Sequence, residues 1–144
     1  GEGAVSERLI RGHVGIGPKV TGIALSARDY FSARYDLDRI KGVFSRPSHK
    51  LCGERYVGRV LVLLGAKGGV ATSWMLREMA ARDMAPLALL LNTSNPIMAQ
   101  GAAFANLPFM DRFDVDITSA IATGDEVTVD PSAGTVLIRS GLGR

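Results

Sequence analysis

Two apolar runs without alternation, VGRVLVLL at 57–64 and LALLL at 87–91, do most to limit what this chain can fold into. A strand with one wet face alternates apolar and polar residues; runs without alternation are buried strands, typical of a parallel sheet covered by helices. The segments around them agree. Residues 65–69 are glycine-rich, and 73–84 read as a helix with Thr72 or Ser73 as its N-cap. Residues 92–95 make a turn, Pro96 suits a first helical position, 97–105 read as a small-residue helix and 107–110 as a third short strand. Strand, helix, strand, helix, strand requires right-handed crossovers and hence a parallel sheet. The ends read as β. Residues 126–129 and 135–138 flank 130–134 as a hairpin. Residues 8–26 alternate loosely and are cut by Gly12, Gly15, Gly17 and Gly22 into short strands or a bulged hairpin. Residues 30–53 follow neither period and read as a long structured loop, a kind that commonly carries function.

With 144 residues, 47% of them hydrophobic, the chain is expected to form one domain over 1–144, with 1–11 as a flexible end. The run at 57–64 contains Arg59 and stops at Gly65, short of the roughly 18 apolar residues of a membrane span. Residues 1–11 have no apolar stretch of signal-peptide type, so a cytoplasmic location is expected. Cys52 is the one cysteine, which excludes an intrachain disulfide and a metal site built from this chain's cysteines alone. The net charge of +3 is uneven: 12 Lys and Arg against 6 Asp and Glu in residues 1–72, and 5 against 8 in 73–144. The basic residues are dispersed and match no nucleic-acid-binding motif, so they read as a solvated face or a surface for a partner or carboxylate substrate.

LVLLGAKGGVATSW at 61–74 is the segment most suited to chemistry. A buried strand enters a glycine-rich turn that opens a helix, and such a turn aims backbone N–H groups and the positive helix end at one spot. Lys67 adds a charge, Thr72 and Ser73 add hydroxyls, and a plain tight turn is the alternative. KGGVATS also resembles the phosphate loop KGGVGKT of partitioning ATPases, but Ala71, Thr72 and Ser73 stand where that loop ends in Gly-Lys-Thr, so its lysine is missing and nucleotide hydrolysis is not expected. His49 and Cys52 are two ligands where a closed zinc site uses four. His13 reads as structural or exposed, Met79 and Met84 as core or interface filler. Asp36 and Asp38 read equally as a turn and as a carboxylate site.

The chain as a whole resembles the small subunit, or swivel domain, of the aconitase X family. Five collinear blocks carry the resemblance: FSARYDLDRIKGVFSRPSHKLCG (31–53), GRVLV (58–62) with the following Lys-Gly loop, NPIMAQGA (95–102), LPFMDRFDVDI (107–117) and TGDEVTVDPSAGTVLI (123–138). Ser32, Asp38, Gly42, His49, Leu51 and Gly53 fall in register with the family pattern in the first block. The resemblance implies an α/β fold, a swivelling β/β/α domain with a small mixed sheet or barrel and flanking helices. It also implies half of a hydro-lyase that dehydrates a small hydroxy acid, with a large partner subunit holding an iron–sulfur cluster or iron and none bound by this chain alone. The substrate expected is cis-3-hydroxy-L-proline, with mevalonate 5-phosphate, or a non-catalytic assembly role, as alternatives. The family loop has a catalytic serine after its (Lys/Arg)-Gly pair; here Lys67 and Gly68 match but Gly69 takes the serine's place, while Ser73 matches the second serine. Ser73, Thr72 and Lys67 are therefore the expected catalytic groups, and Gly68, Gly69 and Ser32 the expected substrate contacts. Tyr35 and Asp36 replace two glycines of the family pattern and Arg39 its proline, so a changed pocket shape is expected. Trp74 and 30–35, with Phe31, are the expected partner surface.

Overall fold

The computed structural model describes residues 6–93 and 95–141. The chain begins with β1 (Ser6–Arg11) and β2 (Val20–Ser26), followed by the two-residue strands β3 (Tyr30–Phe31), β4 (Leu37–Asp38) and β5 (Val43–Phe44). Then come β6 (Val60–Leu63), β7 (Gly65–Ala66), α1 (Val70–Ala81), β8 (Ala88–Leu91), α2 (Pro96–Ala105) and β9 (Phe109–Asp111). The short helix α3 (Ile117–Ala120) precedes the hairpin β10 (Glu126–Asp130) and β11 (Thr135–Ser140).

Seven strands form one mixed sheet in the order β1-β11-β10-β2-β6-β8-β9. β2, β6, β8 and β9 are parallel, as the apolar runs require, and the other pairings are antiparallel. The fold is thus the expected α/β type, a curled half-barrel with flanking helices. Residues 8–26 do not form a hairpin: β1 pairs with β11 and β2 with β10, so the C-terminal hairpin lies between them. The glycines between β1 and β2 make a strap instead. Gly12 and Gly15 N–H groups donate to the Gly134 and Pro131 carbonyls, and Ile16 exchanges two 2.9 Å hydrogen bonds with Phe109 on β9. One segment therefore joins the β10–β11 turn to the far edge of the sheet, which removes exposed pairing groups from that edge. Ser6–Arg11, expected to be flexible, is ordered as strand β1; residues 1–5 of that stretch lie outside the described residues.

The sheet separates two cores by the period-two alternation of its side chains. Val60, Val62, Ala88 and Leu90 point into the barrel with Ala24, Met110, Val127 and Val136. Leu61, Leu63, Leu89 and Leu91 point the other way, onto Leu76 and Met79 of α1 and Met98 and Ala102 of α2. Both faces of β6 and β8 are dry, which explains why their sequences do not alternate. Each such leucine contributes about 1.5–3 kcal/mol by leaving water.

α1 begins earlier than expected, at Val70, with Gly69 as N-cap and no side-chain cap. Thr72 and Ser73 are turned inward in its first turn, so hydroxyls that read as caps serve in packing. The helix ends at Ala81 rather than 84, because Asp83 takes φ 57° and Met84 N–H reaches back to the Met79 carbonyl, a Schellman-type stop. α2 matches its sequence signals: Asn95 Oδ1 accepts from the Ile97 and Met98 N–H groups, and Pro96 stands at N1. No helix among the described residues is long and apolar enough to cross a membrane.

Candidate functional site

Beyond β6 the chain leaves the main sheet. Gly65 and Ala66 pair in parallel with Tyr30 and Phe31, and Lys67 N–H donates to the Phe31 carbonyl at 2.7 Å. This ladder draws the glycine loop and the first loop together, although more than thirty residues separate them in sequence. At Gly68 the backbone has φ +126°, and Thr72 Oγ1 lies where a side chain would start, so only glycine fits. Between the two loops is a cleft of about 350 Å³, walled by Tyr30, Phe31, Ser32 and Tyr35 on one side and by Lys67 and Gly68 on the other, with Asp36 and Arg46. The Lys67 ammonium stands 5.0 Å from the Tyr30 ring centroid, a cation–π distance.

The first loop is organised from within. Asp36, 2% exposed, takes the Ser32 N–H on Oδ2 at 2.8 Å and Arg46 Nε on Oδ1 at 2.5 Å. Its own carbonyl accepts from Ser45 N–H. His49 is buried and stacked on Phe44 at 4.6 Å. Its Nδ1 accepts from Leu51 N–H and its Nε2–H donates to the Tyr30 carbonyl, so both ring nitrogens serve the backbone. Cys52 is exposed. The two therefore do not form a ligand pair, and among the described residues no three His, Cys, Asp or Glu are grouped to hold a metal. Among the described residues, therefore, no donor set fits an iron centre. Asp38 is a turn residue: its Oδ1 accepts from the Lys41 and Ile40 N–H groups, and the Lys41 bond foremost holds its carboxyl below the usual range.

Three of the expected site residues, Ser32, Lys67 and Gly68, meet at the cleft. The Ser32 hydroxyl accepts from Tyr35 N–H at 3.4 Å, a long contact that leaves it free to bond elsewhere. The other three lie apart from the cleft wall. Thr72, 3% exposed, sits beneath Gly68, and Ser73, 5% exposed, packs against Gly101 where α1 crosses α2. Gly69 is exposed, with φ −116° and no atom near the place of a Cβ. Sequence reasoning missed Arg46 as a member of the site, because its partner Asp36 is ten residues away in a loop without period. Chemically the cleft offers cations at Lys67 and Arg46 and the Ser32 hydroxyl, a set suited to an anionic ligand.

Comparison with known proteins agrees with this architecture. A family model described as the aconitase X swivel domain matches residues 9–138. The phosphomevalonate dehydratase small subunit of Methanocella arvoryzae is 33% identical over 88% of this chain and 96% of that one. Its counterpart in Methanopyrus kandleri is 40% identical, over 59% of this chain and 63% of that one. The crystal structure of Thermococcus kodakaraensis aconitase X in its holo form superposes with TM-score 0.84 at 27% identity, covering 91% of this chain and 98% of that one. With the family match running from β1 to β11 and the fold reproduced along with it, the chain belongs to the aconitase X swivel-domain family.

Proposed function

We propose that the chain is the small subunit of a hydro-lyase that acts on mevalonate 5-phosphate together with a large subunit. The observation that carries this reading is the cationic cleft between the two loops, Lys67 on one wall and Arg46 on the other, in a chain whose relatives bear the name phosphomevalonate dehydratase small subunit. A substrate with a carboxylate and a phosphate suits two cations better than cis-3-hydroxy-L-proline, which carries an ammonium of its own. Removing a proton beside a carboxylate builds a second negative charge on that group. Lys67 supplies positive charge for that group, at a site the large subunit would close from water. The iron centre that the family resemblance implies is assigned to the large subunit, where it would supply Lewis acidity.

Reconstituting the chain with its cognate large subunit and assaying both substrates tests the proposal. Water elimination from mevalonate 5-phosphate is the expected result; turnover of cis-3-hydroxy-L-proline alone would overturn the substrate. Gly69, at the position of the family's catalytic serine, favours a second reading, a subunit that serves assembly only. Lys67→Ala separates the two: in a catalytic cleft it lowers turnover at least tenfold, by about 1.4 kcal/mol or more, and in an assembly module it changes nothing.

A further inference from the structure

We infer that Arg46 is the specificity-determining residue of the cleft: held by Asp36, its guanidinium and the Lys67 ammonium select a ligand bearing a phosphate. The inference rests on the dehydratase reading and names the group that chooses the substrate. The Asp36–Arg46 pair is asymmetric. Its carboxylate is 2% exposed, whereas the Arg46 side chain remains 42% exposed and lines the cleft. Both oxygens of Asp36 are in use, Oδ2 on the Ser32 N–H and Oδ1 on Arg46 Nε. Attachment through Nε leaves the four Nη hydrogens as donors in a fixed fork, the arrangement that fits two phosphate oxygens. On the opposite wall, contact with Tyr30 restrains Lys67, so the cleft holds one rigid fork and one point charge.

The charge balance supports an anionic ligand. Asp36 offsets one of the two cations, and a net positive charge remains among the residues that line the cleft. A single carboxylate has two oxygens, too few to engage the free Nη fork of Arg46 and the Lys67 ammonium together. A phosphate satisfies both. At about 350 Å³ the space suits a phosphate and a short carbon chain. Asp36 acts as a positioning residue, since it reaches the ligand only through Arg46.

The test uses the reconstituted complex, with mevalonate 5-phosphate as substrate and inorganic phosphate as competing ligand. Arg46→Gln is expected to raise KM about tenfold to a hundredfold, to leave kcat within about twofold, and to weaken phosphate inhibition in parallel. Arg46→Lys keeps the charge and the link to Asp36, and is expected to recover part of the loss. Asp36→Asn retains an acceptor for the Ser32 N–H and is expected to raise KM without lowering kcat, a split that mere loss of folded protein would not give. Unchanged KM and unchanged phosphate inhibition in Arg46→Gln would overturn the inference while the wild-type complex still turns over. Absence of any wild-type turnover of the phosphorylated substrate would instead overturn the dehydratase reading beneath it.

Discussion

At Gly68 the chain has φ +126° and a threonine hydroxyl in the space of a side chain, while one residue later Gly69 has φ −116° and open space. The two glycines should therefore respond differently to substitution. Gly68→Ala is expected to cost about 1–3 kcal/mol, and Gly69→Ser to change stability by a few tenths of a kcal/mol, toward greater stability because serine is a good N-cap; urea denaturation of the chain measures both. Asp116 offers a second residue-scale test. Its carboxylate accepts foremost from the Thr118 hydroxyl, then from Asn92, and pairs with Arg28, which together hold it far below the usual carboxylate range. A lowered folded pKa stabilises the fold above the ordinary range and loses that contribution as pH falls. Stability should thus decline from about pH 4 downward, and Asp116→Asn should flatten that slope in acid-unfolding curves. The same scale shows what the sequence makes legible in the site. Lys67 and Gly68 can be read because strand, glycine turn and helix are local. Thr72 and Ser73 mislead, because a hydroxyl after a glycine loop has the same signature whether it caps the helix or packs inside it. Arg46 escapes, since its place depends on a buried ion pair formed only when the loop closes.

Among the elements, α1 and α2 cross in close contact. A Cβ at Gly101 would stand 2.7 Å from Ser73 Cα, and backbone at that distance has no rotamer by which to yield. Gly101→Ala gains up to about 1 kcal/mol of helix propensity yet is expected to destabilise the protein by about 1–3 kcal/mol through overpacking; thermal unfolding shows which term wins. The individual elements are largely legible from sequence. β6 and β8 are unbroken apolar runs, β10 and β11 flank a turn, and α2 carries its cap and proline. The order of strands is not legible, because Ile10↔Val136 and Val127↔Gly22 join residues more than a hundred positions apart. Alternation in residues 8–26 reports a strand's faces and is silent on its neighbours. The four-residue α3 is too short for a helical period to show.

For the molecule as a whole, large apolar and aromatic side chains of the first loop and of the start of α1 face solvent. Trp74 is 59% exposed, and Tyr30, Tyr35 and Val70 are also solvent-facing large side chains. Exposed large side chains such as these are candidates for an interaction surface. If the large subunit covers this surface, adding it to the isolated chain should shift the emission of the one tryptophan to shorter wavelength, and Trp74→Ala should weaken association more than tenfold in a binding titration, by upward of about 1.4 kcal/mol. The strand order has a further consequence for how the chain is made. From β6 to β9 every neighbour in the sheet follows its partner with only one helix between, so this half can assemble as it leaves the ribosome. β1 is synthesised ahead of all of it, yet among the described residues its partner in the sheet is β11, more than a hundred residues later. The first strand must therefore wait, unpaired, while every strand between them is made, and the sheet is completed only when β11 has emerged.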